Sequence, residues 1–89
     1  MIEQQIEITN KKGLHARAAA KLINLTHNFD SEVMVIRGDD EVNGKSILGL
    51  LMLAAQKGSW LTIKVNGHDE GEAMQQIKTL IESKFQESE

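Results

Sequence analysis

The chain has 89 residues, a length that suits one domain (residues 1–89) with a single hydrophobic core. Its 13 acidic and 10 basic side chains give a net charge of −3, which is the wrong sign for a domain that binds nucleic acid. The absence of cysteine excludes disulfides, and it excludes a thiolate as a nucleophile or a zinc ligand.

The sequence contains no segment that predicts insertion into a membrane. The longest apolar run, residues 47–55, has half the length needed to cross a bilayer, and the first residues do not begin a secretory signal. We therefore expect a cytoplasmic protein.

The first third of the sequence predicts a strand, a turn and a helix. Isoleucines at even positions alternate with polar residues over 2–8, which is the period of a strand with one buried face. A polar turn that contains Gly13 follows, and residues 16–27 predict an amphipathic helix. The apolar face of this helix consists of Ala18, Ala19, Leu22, Ile23 and Leu25.

The middle of the chain predicts a hairpin and a short helix. Residues 33–37 are rich in β-branched side chains and predict a second strand, on which residues 41–42 pair back at the edge of the sheet. Ser46 is expected to cap a helix over 47–55. Because this helix is apolar on nearly every side, some of its large side chains must face solvent or a partner. The candidates are Ile47, Leu48, Leu51 and Met52.

The last third predicts a strand and a longer helix. Residues 60–65 alternate in polarity, and the side chains expected to point inward are Leu61, Ile63 and Val65. Asp69, with Glu72 three residues later, resembles a capping box at the start of the final helix. The acidic segment from Gln86 onward is expected to fray.

The resulting element order, β-α-β-β-α-β-α, predicts an α/β fold of the α+β type. We expect an open-faced two-layer β-sandwich. In this fold a four-stranded, mostly antiparallel sheet carries three helices on one face.

The clearest chemical signal lies in residues 13–21, where a glycine turn leads to a helix start. His15 is placed at the helix N-terminus, whose unpaired N–H groups bind anions. A neutral imidazole can attack phosphorus, and Arg17 can pair with the oxygens of the phosphoryl group. The pattern predicts a phosphorylation site, and the alternative for His15 is a simple helix cap.

Two motifs, GLHARAAAKL and NGKSILGLLMLAAQKG, resemble the HPr family at the spacing found here. Its members are the histidine-containing phosphocarriers of the bacterial phosphoenolpyruvate-dependent phosphotransferase system. The resemblance covers essentially the whole chain and implies one HPr-like domain. It further implies a stoichiometric carrier rather than an enzyme, which uses no cofactor and acts as a monomer.

The resemblance also implies residue roles. His15 would accept a phosphoryl group at Nδ1 from phosphorylated enzyme I and pass it to IIA proteins or domains. Arg17 and the backbone N–H groups of residues 16–18 (Ala16, Arg17 and Ala18) would hold the phosphate. Most family members carry proline where this chain has Ala18, and we expect transfer to survive because His15 and Arg17 remain.

For Ser46, two interpretations stay open. Serine before a helix is an ordinary N-cap, whereas the resemblance implies phosphorylation by the HPr kinase/phosphorylase. The apolar residues of the second helix are likewise either core or a docking surface shared by partners, namely Ile47, Leu48, Leu51 and Met52.

The remaining histidines, His27 and His68, are expected to be structural or solvated, and the spacing of the three histidines gives no metal-ligand signal. The leading hypothesis is a phosphoryl carrier. The alternative is a regulatory protein-binding module without phosphoryl transfer.

Overall fold

Four strands, β1 (Ile2–Glu7), β2 (Glu32–Arg37), β3 (Asp40–Asn43) and β4 (Trp60–Asn66), form one sheet. The structure, a computed structural model, describes residues 1–87. All strand pairs are antiparallel, and the spatial order is β1-β4-β2-β3. This order confirms the predicted open sheet and places the β2–β3 hairpin at an edge.

Three helices, α1 (Ala16–Thr26), α2 (Ile47–Met52) and α3 (Glu70–Glu82), cover one face of the sheet. The core between the layers is aliphatic, because alternate strand residues and one face of each helix point into it. The inward residues of β4 are fully buried, as predicted, and they are Leu61, Ile63 and Val65. The predicted open-faced two-layer sandwich is confirmed.

The second helix is shorter than the predicted range of 47–55. It ends at Met52, and Leu53 forms the C-cap. Ala54 then adopts a left-handed conformation with φ of 51°, which a continuing helix cannot contain. The chain turns here because Leu53 and Ala55 are buried in the core, whereas Met52 is exposed.

The predicted capping box at the start of α3 is wrong. Asp69 occupies the N-cap position but makes no cap hydrogen bond with its side chain. Its carboxylate instead accepts hydrogen bonds from the N–H groups of Asp30 (2.9 Å) and Ser31 (3.0 Å) and from the hydroxyl of Ser31. The side chain therefore joins α3 to the loop between α1 and β2. At the start of α3, the Glu70 side chain accepts a hydrogen bond from the Gly67 N–H (3.1 Å).

Asp69 should make the fold sensitive to acid. The hydrogen bonds from Ser31 and from the Asp30 N–H hold the pKa of Asp69 at about 2, below its ordinary 3.8. A carboxyl whose pKa is lower in the folded state stabilises the fold above its unfolded pKa, and this contribution disappears as the pH falls to about 2. We expect Asp69→Asn to lower the free energy of unfolding at neutral pH, with the deficit shrinking between about pH 4 and pH 2.

Denaturant unfolding at a series of pH values measures this difference. The control is Asp39→Asn, which changes an exposed carboxyl in the β2–β3 turn. A deficit of equal size at neutral and acid pH would contradict the assignment.

Hydrogen bonds tie the end of α1 to the loop before α2. The hydroxyl of buried Thr26 donates to the carbonyl of Gly44 (2.9 Å), and Lys45 Nζ donates to the carbonyl of Phe29 (2.7 Å). Nε2 of His27, the C-cap of α1, donates to the carbonyl of Lys45 (3.1 Å). These bonds fix α2 beside α1.

Candidate functional site

His15 is the N-cap of α1, as the sequence predicts. Its backbone is extended (φ −79°, ψ 178°), and the helix begins at the next residue. The Arg17 N–H donates a hydrogen bond to Nδ1 of the ring (3.3 Å), and the His15 side chain is 25% exposed. One ring nitrogen therefore faces the N-terminus of α1, and the ring remains accessible from solvent.

The turn before His15 is held against the segment that follows α2. The Leu14 N–H donates to the carbonyl of Ala55 (2.8 Å). Gly13 has φ of 67°, and a Cβ atom added to it would lie 2.4 Å from the same carbonyl oxygen. Only glycine fits there, because both the conformation and the close approach exclude a side chain. The loop that presents His15 is thus built into the core next to the end of α2.

The second ring nitrogen of His15 is bound by Glu87. Nε2 lies 2.5 Å from the Glu87 Oε2 atom, and Oε1 of the same carboxylate accepts from Asn10 Nδ2 (3.0 Å). Asn10 is fully buried, and its Nδ2 also donates to the carbonyl of Gly13 (2.7 Å). The hydrogen bonds from Asn10 and His15, together with the nearby charge of Lys21, lower the pKa of Glu87. Glu87 is therefore an ionised acceptor at neutral pH.

A left-handed turn brings Glu87 to the site. Lys84, Phe85 and Gln86 have φ of 59°, 56° and 61°, although none of them is glycine. Such a conformation costs on the order of 1–2 kcal/mol per residue. The Phe85 side chain is fully buried, and its carbonyl accepts a hydrogen bond from Lys21 Nζ (2.6 Å). The prediction that the chain frays from Gln86 onward is wrong for Gln86 and Glu87, and its last two residues lie outside the described range.

The other predicted phosphate-binding groups lie at the same helix end. Ala16, Arg17 and Ala18 are the first three residues of α1, and their N–H groups have no carbonyl four residues earlier within the helix. The Arg17 side chain is exposed, whereas Ala18 is fully buried. Anion donors and an exposed guanidinium therefore share the surface next to His15.

Ser46 caps α2, as predicted. Its Oγ accepts a hydrogen bond from the Gly49 N–H (3.1 Å), and its carbonyl accepts one from the Leu50 N–H (3.0 Å). Of the large apolar residues of this helix, only Leu50 is buried. The exposed ones are Ile47 (45%), Leu48 (67%), Leu51 (37%) and Met52 (72%). The surface they form, called here the α2 surface, is the apolar excess that the sequence predicts.

A second group of polar side chains lies away from His15. The carboxylates of Asp30 and Asp69 and the ring of His68 each bring one possible metal-ligand atom within 4.8 Å of the others. The spacing of the histidines did not indicate this group. His68 Nε2 donates a hydrogen bond to the Asp30 carboxylate (3.0 Å), and this bond raises the pKa of His68. Because Asp69 already accepts hydrogen bonds from the α1–β2 loop, we assign this group a structural role.

Comparison with known proteins assigns the chain to a family. A family model described as "PTS HPr component phosphorylation site" matches residues 2–83. The chain belongs to the HPr family. Two relatives illustrate its range. The phosphocarrier protein HPr of Neisseria meningitidis serogroup B is 51% identical over 89 residues, which are 100% of both chains. The phosphocarrier protein NPr of Shewanella violacea is 41% identical over 87 residues, 98% of this chain and 96% of that protein.

The fold agrees with HPr structures as well. The crystal structure of HPr-C-His from Thermoanaerobacter tengcongensis superimposes with a TM-score of 0.96 at 42% identity, with 100% of both chains covered. The chain thus belongs to a family whose curated members include phosphocarrier proteins HPr of the phosphotransferase system. Among residues 1–87, no helix has the length and apolar character needed to cross a membrane.

Three contacts of this HPr-family site could not be found from the sequence. In the sequence, Asn10 is typical of a turn and Lys21 is typical of a solvated helix face. Glu87 is typical of a frayed chain end. Their roles depend on contacts between residues that are 64 to 77 positions apart, namely Lys21 with Phe85 and both His15 and Asn10 with Glu87. Local periodicity carries no signal for such contacts.

Proposed function

We propose that the chain carries phosphoryl groups on His15, which receives them from phosphorylated enzyme I and passes them to IIA proteins or domains. The observation that carries the proposal is the placement of Nδ1 at the N-terminus of α1, beside Arg17. A nucleophilic nitrogen and an anion-binding helix end are together what a transient phosphohistidine needs.

The chemistry requires only a modest stabilisation of the phosphate. The Nδ1 lone pair attacks phosphorus, and the phosphoryl oxygens are received by the first N–H groups of α1 and by the guanidinium of Arg17. An exposed helix N-terminus stabilises a charge by roughly 0.3–1 kcal/mol, so the group is held without becoming trapped. This weak binding supports a reversible carrier. The proposed carrier needs no cofactor and acts in the cytoplasm as a monomer.

Labelling tests the proposal. We expect radiolabelled phosphoenolpyruvate and enzyme I to label the protein with phosphate that is labile in acid and stable in base, and we expect His15→Ala to remove all of the label. His27→Gln and His68→Gln are matched controls and should remain labelled. Absence of label in the unaltered protein would favour the regulatory binding module, and it would also contradict the expectation that Ala18 permits transfer.

The α2 surface is proposed as the docking site for these partners. Four large apolar side chains on a six-residue helix exceed what the fold buries, and the segment after this helix binds the loop that presents His15. A partner seated on α2 would therefore reach the phosphorylated ring.

Ser46 is proposed as a regulatory site for the HPr kinase/phosphorylase. A phosphate at the N-terminus of α2 is compatible with the helix dipole, and it would repel a phosphorylated partner at the α2 surface. We expect Ser46→Asp to slow phosphoryl transfer from enzyme I roughly tenfold through this repulsion. Transfer reactions run at low enzyme I concentration and quenched at successive times measure the rate.

The control for Ser46→Asp is Thr79→Asp, which adds the same charge to the exposed surface of α3. Equal rates for the two variants would leave Ser46 with its capping role alone.

A further inference from the structure

The two hydrogen bonds of the His15 ring determine where its proton lies. On one side, a backbone N–H can only donate, so Nδ1 must offer its lone pair to Arg17. On the other side, an ionised carboxylate can only accept, so Nε2 must carry the proton that Glu87 receives. The neutral ring is thereby held with Nδ1 unprotonated, which makes Nδ1 the nucleophile.

We propose that Glu87 is a positioning residue for phosphoryl transfer, which holds the proton on Nε2 of His15 and so directs the phosphoryl group to Nδ1. The inference rests on the proposed function and adds a residue to it. Glu87 is 72 residues from His15 in the sequence and contacts the ring at Nε2, the nitrogen that is not phosphorylated in the proposed function.

Each transfer step balances without loss of a proton. On acceptance, the Nδ1 lone pair forms the N–P bond while the bond from phosphorus to the donor histidine breaks, and the donor nitrogen keeps that electron pair. The His15 ring then bears positive charge, and its Nε2–H remains bound to Glu87. On donation, the N–P pair returns to Nδ1 and leaves a neutral ring. On acceptance, Glu87 keeps the proton on Nε2 and leaves Nδ1 unprotonated. On donation, the same proton lets His15 leave as a neutral imidazole, which is a better leaving group than an imidazolate anion.

The surroundings of Glu87 are built to keep its carboxylate in place. Its side chain is only 14% exposed, and its second oxygen is held by fully buried Asn10. Lys21 binds the carbonyl of Phe85 two residues earlier and contributes the nearby positive charge. The backbone reaches this position through three consecutive left-handed residues, and such conformations concentrate at functional sites.

Two variants of Glu87 separate charge from position. Glu87→Gln removes the charge but retains an oxygen that can accept a hydrogen bond from Nε2. Glu87→Ala removes both the charge and the acceptor. The control is Glu82→Ala, which removes an exposed carboxylate at the end of α3. We expect the single-turnover rate of His15 phosphorylation at saturating enzyme I to fall about 10- to 100-fold in Glu87→Ala and by less in Glu87→Gln, by analogy with carboxylates that orient metal-bound histidines. The KM for enzyme I should not change, because Glu87 acts on the ring rather than on docking.

Nitrogen-15 NMR of the unphosphorylated protein provides a second measurement that a merely structural role would not move. At alkaline pH, where histidine rings are neutral, we expect the proton on Nε2 in the unaltered protein and a mixture of both tautomers in Glu87→Ala. A proton on Nδ1 in the unaltered protein, or an unchanged ring spectrum or transfer rate in Glu87→Ala, would overturn the inference. Failure of the proposed function is distinguishable, because the unaltered protein would then remain unlabelled whatever the tautomer.

Discussion

Leu48→Lys is expected to raise the KM for enzyme I roughly thirtyfold while leaving the fold intact. Leu48 belongs to the α2 surface and is 67% exposed, so a lysine there leaves the hydrophobic core intact. It would, however, place a charge in the proposed interface, and the loss of one hot-spot contact costs about 2 kcal/mol, which corresponds to this fold-change.

Steady-state phosphorylation by enzyme I measures the effect, and thermal unfolding measures the fold. The matched control is Thr79→Lys, which introduces the same side chain on the exposed surface of α3. If the melting temperature of Leu48→Lys collapsed instead, Leu48 would belong to the core and the docking proposal would fail for it.

The second large effect is expected at the turn before the candidate site. Gly13→Ala should lower the free energy of unfolding by about 3 kcal/mol, because alanine is strained at this positive φ and because its Cβ would meet a backbone carbonyl. The added atom would lie 2.4 Å from the Ala55 oxygen, which also accepts the Leu14 N–H. Displacing either group moves His15, so phosphorylation should also slow.

Gly38→Ala is the control that separates the two causes. Gly38 has a similar φ of 60°, but a Cβ there would meet nothing within 4 Å. Its substitution should cost only the conformational strain, about 1 kcal/mol. Equal losses for Gly13→Ala and Gly38→Ala in denaturant unfolding would show that the contact with Ala55 is unimportant.

Local sequence patterns predicted most of the fold. Alternation located β4, whose inward residues are all buried, and the capping serine located the start of α2. The apolar excess of α2 also predicted an exposed surface, because one short helix cannot bury every side. These features depend on neighbours within a few positions, which is the range that periodicity reports.

Contacts between distant segments were not predictable in this way. Asp69 looked like half of a capping box with Glu72 on its own helix. It binds the loop at Ser31 instead, because there its carboxylate accepts hydrogen bonds from two N–H groups, whereas a helix cap would provide one. Glu87 looked like part of a solvated tail. A left-handed turn without glycine has no sequence signature, so neither the turn nor the contact with His15 could be foreseen.

The position of β4 in the sheet has a consequence for how the chain folds. Strand β4 lies between β1 and β2. Until residues 60–66 are available, β1 has no strand to pair with, and β2 has only β3. The pairings that complete the sheet join segments far apart in sequence, such as Ile2 with Val65. Sheet formation must therefore close long loops before it gains hydrogen bonds, which slows folding and couples both halves of the molecule into one cooperative unit. On the ribosome, a stable core becomes possible only after β4 has emerged.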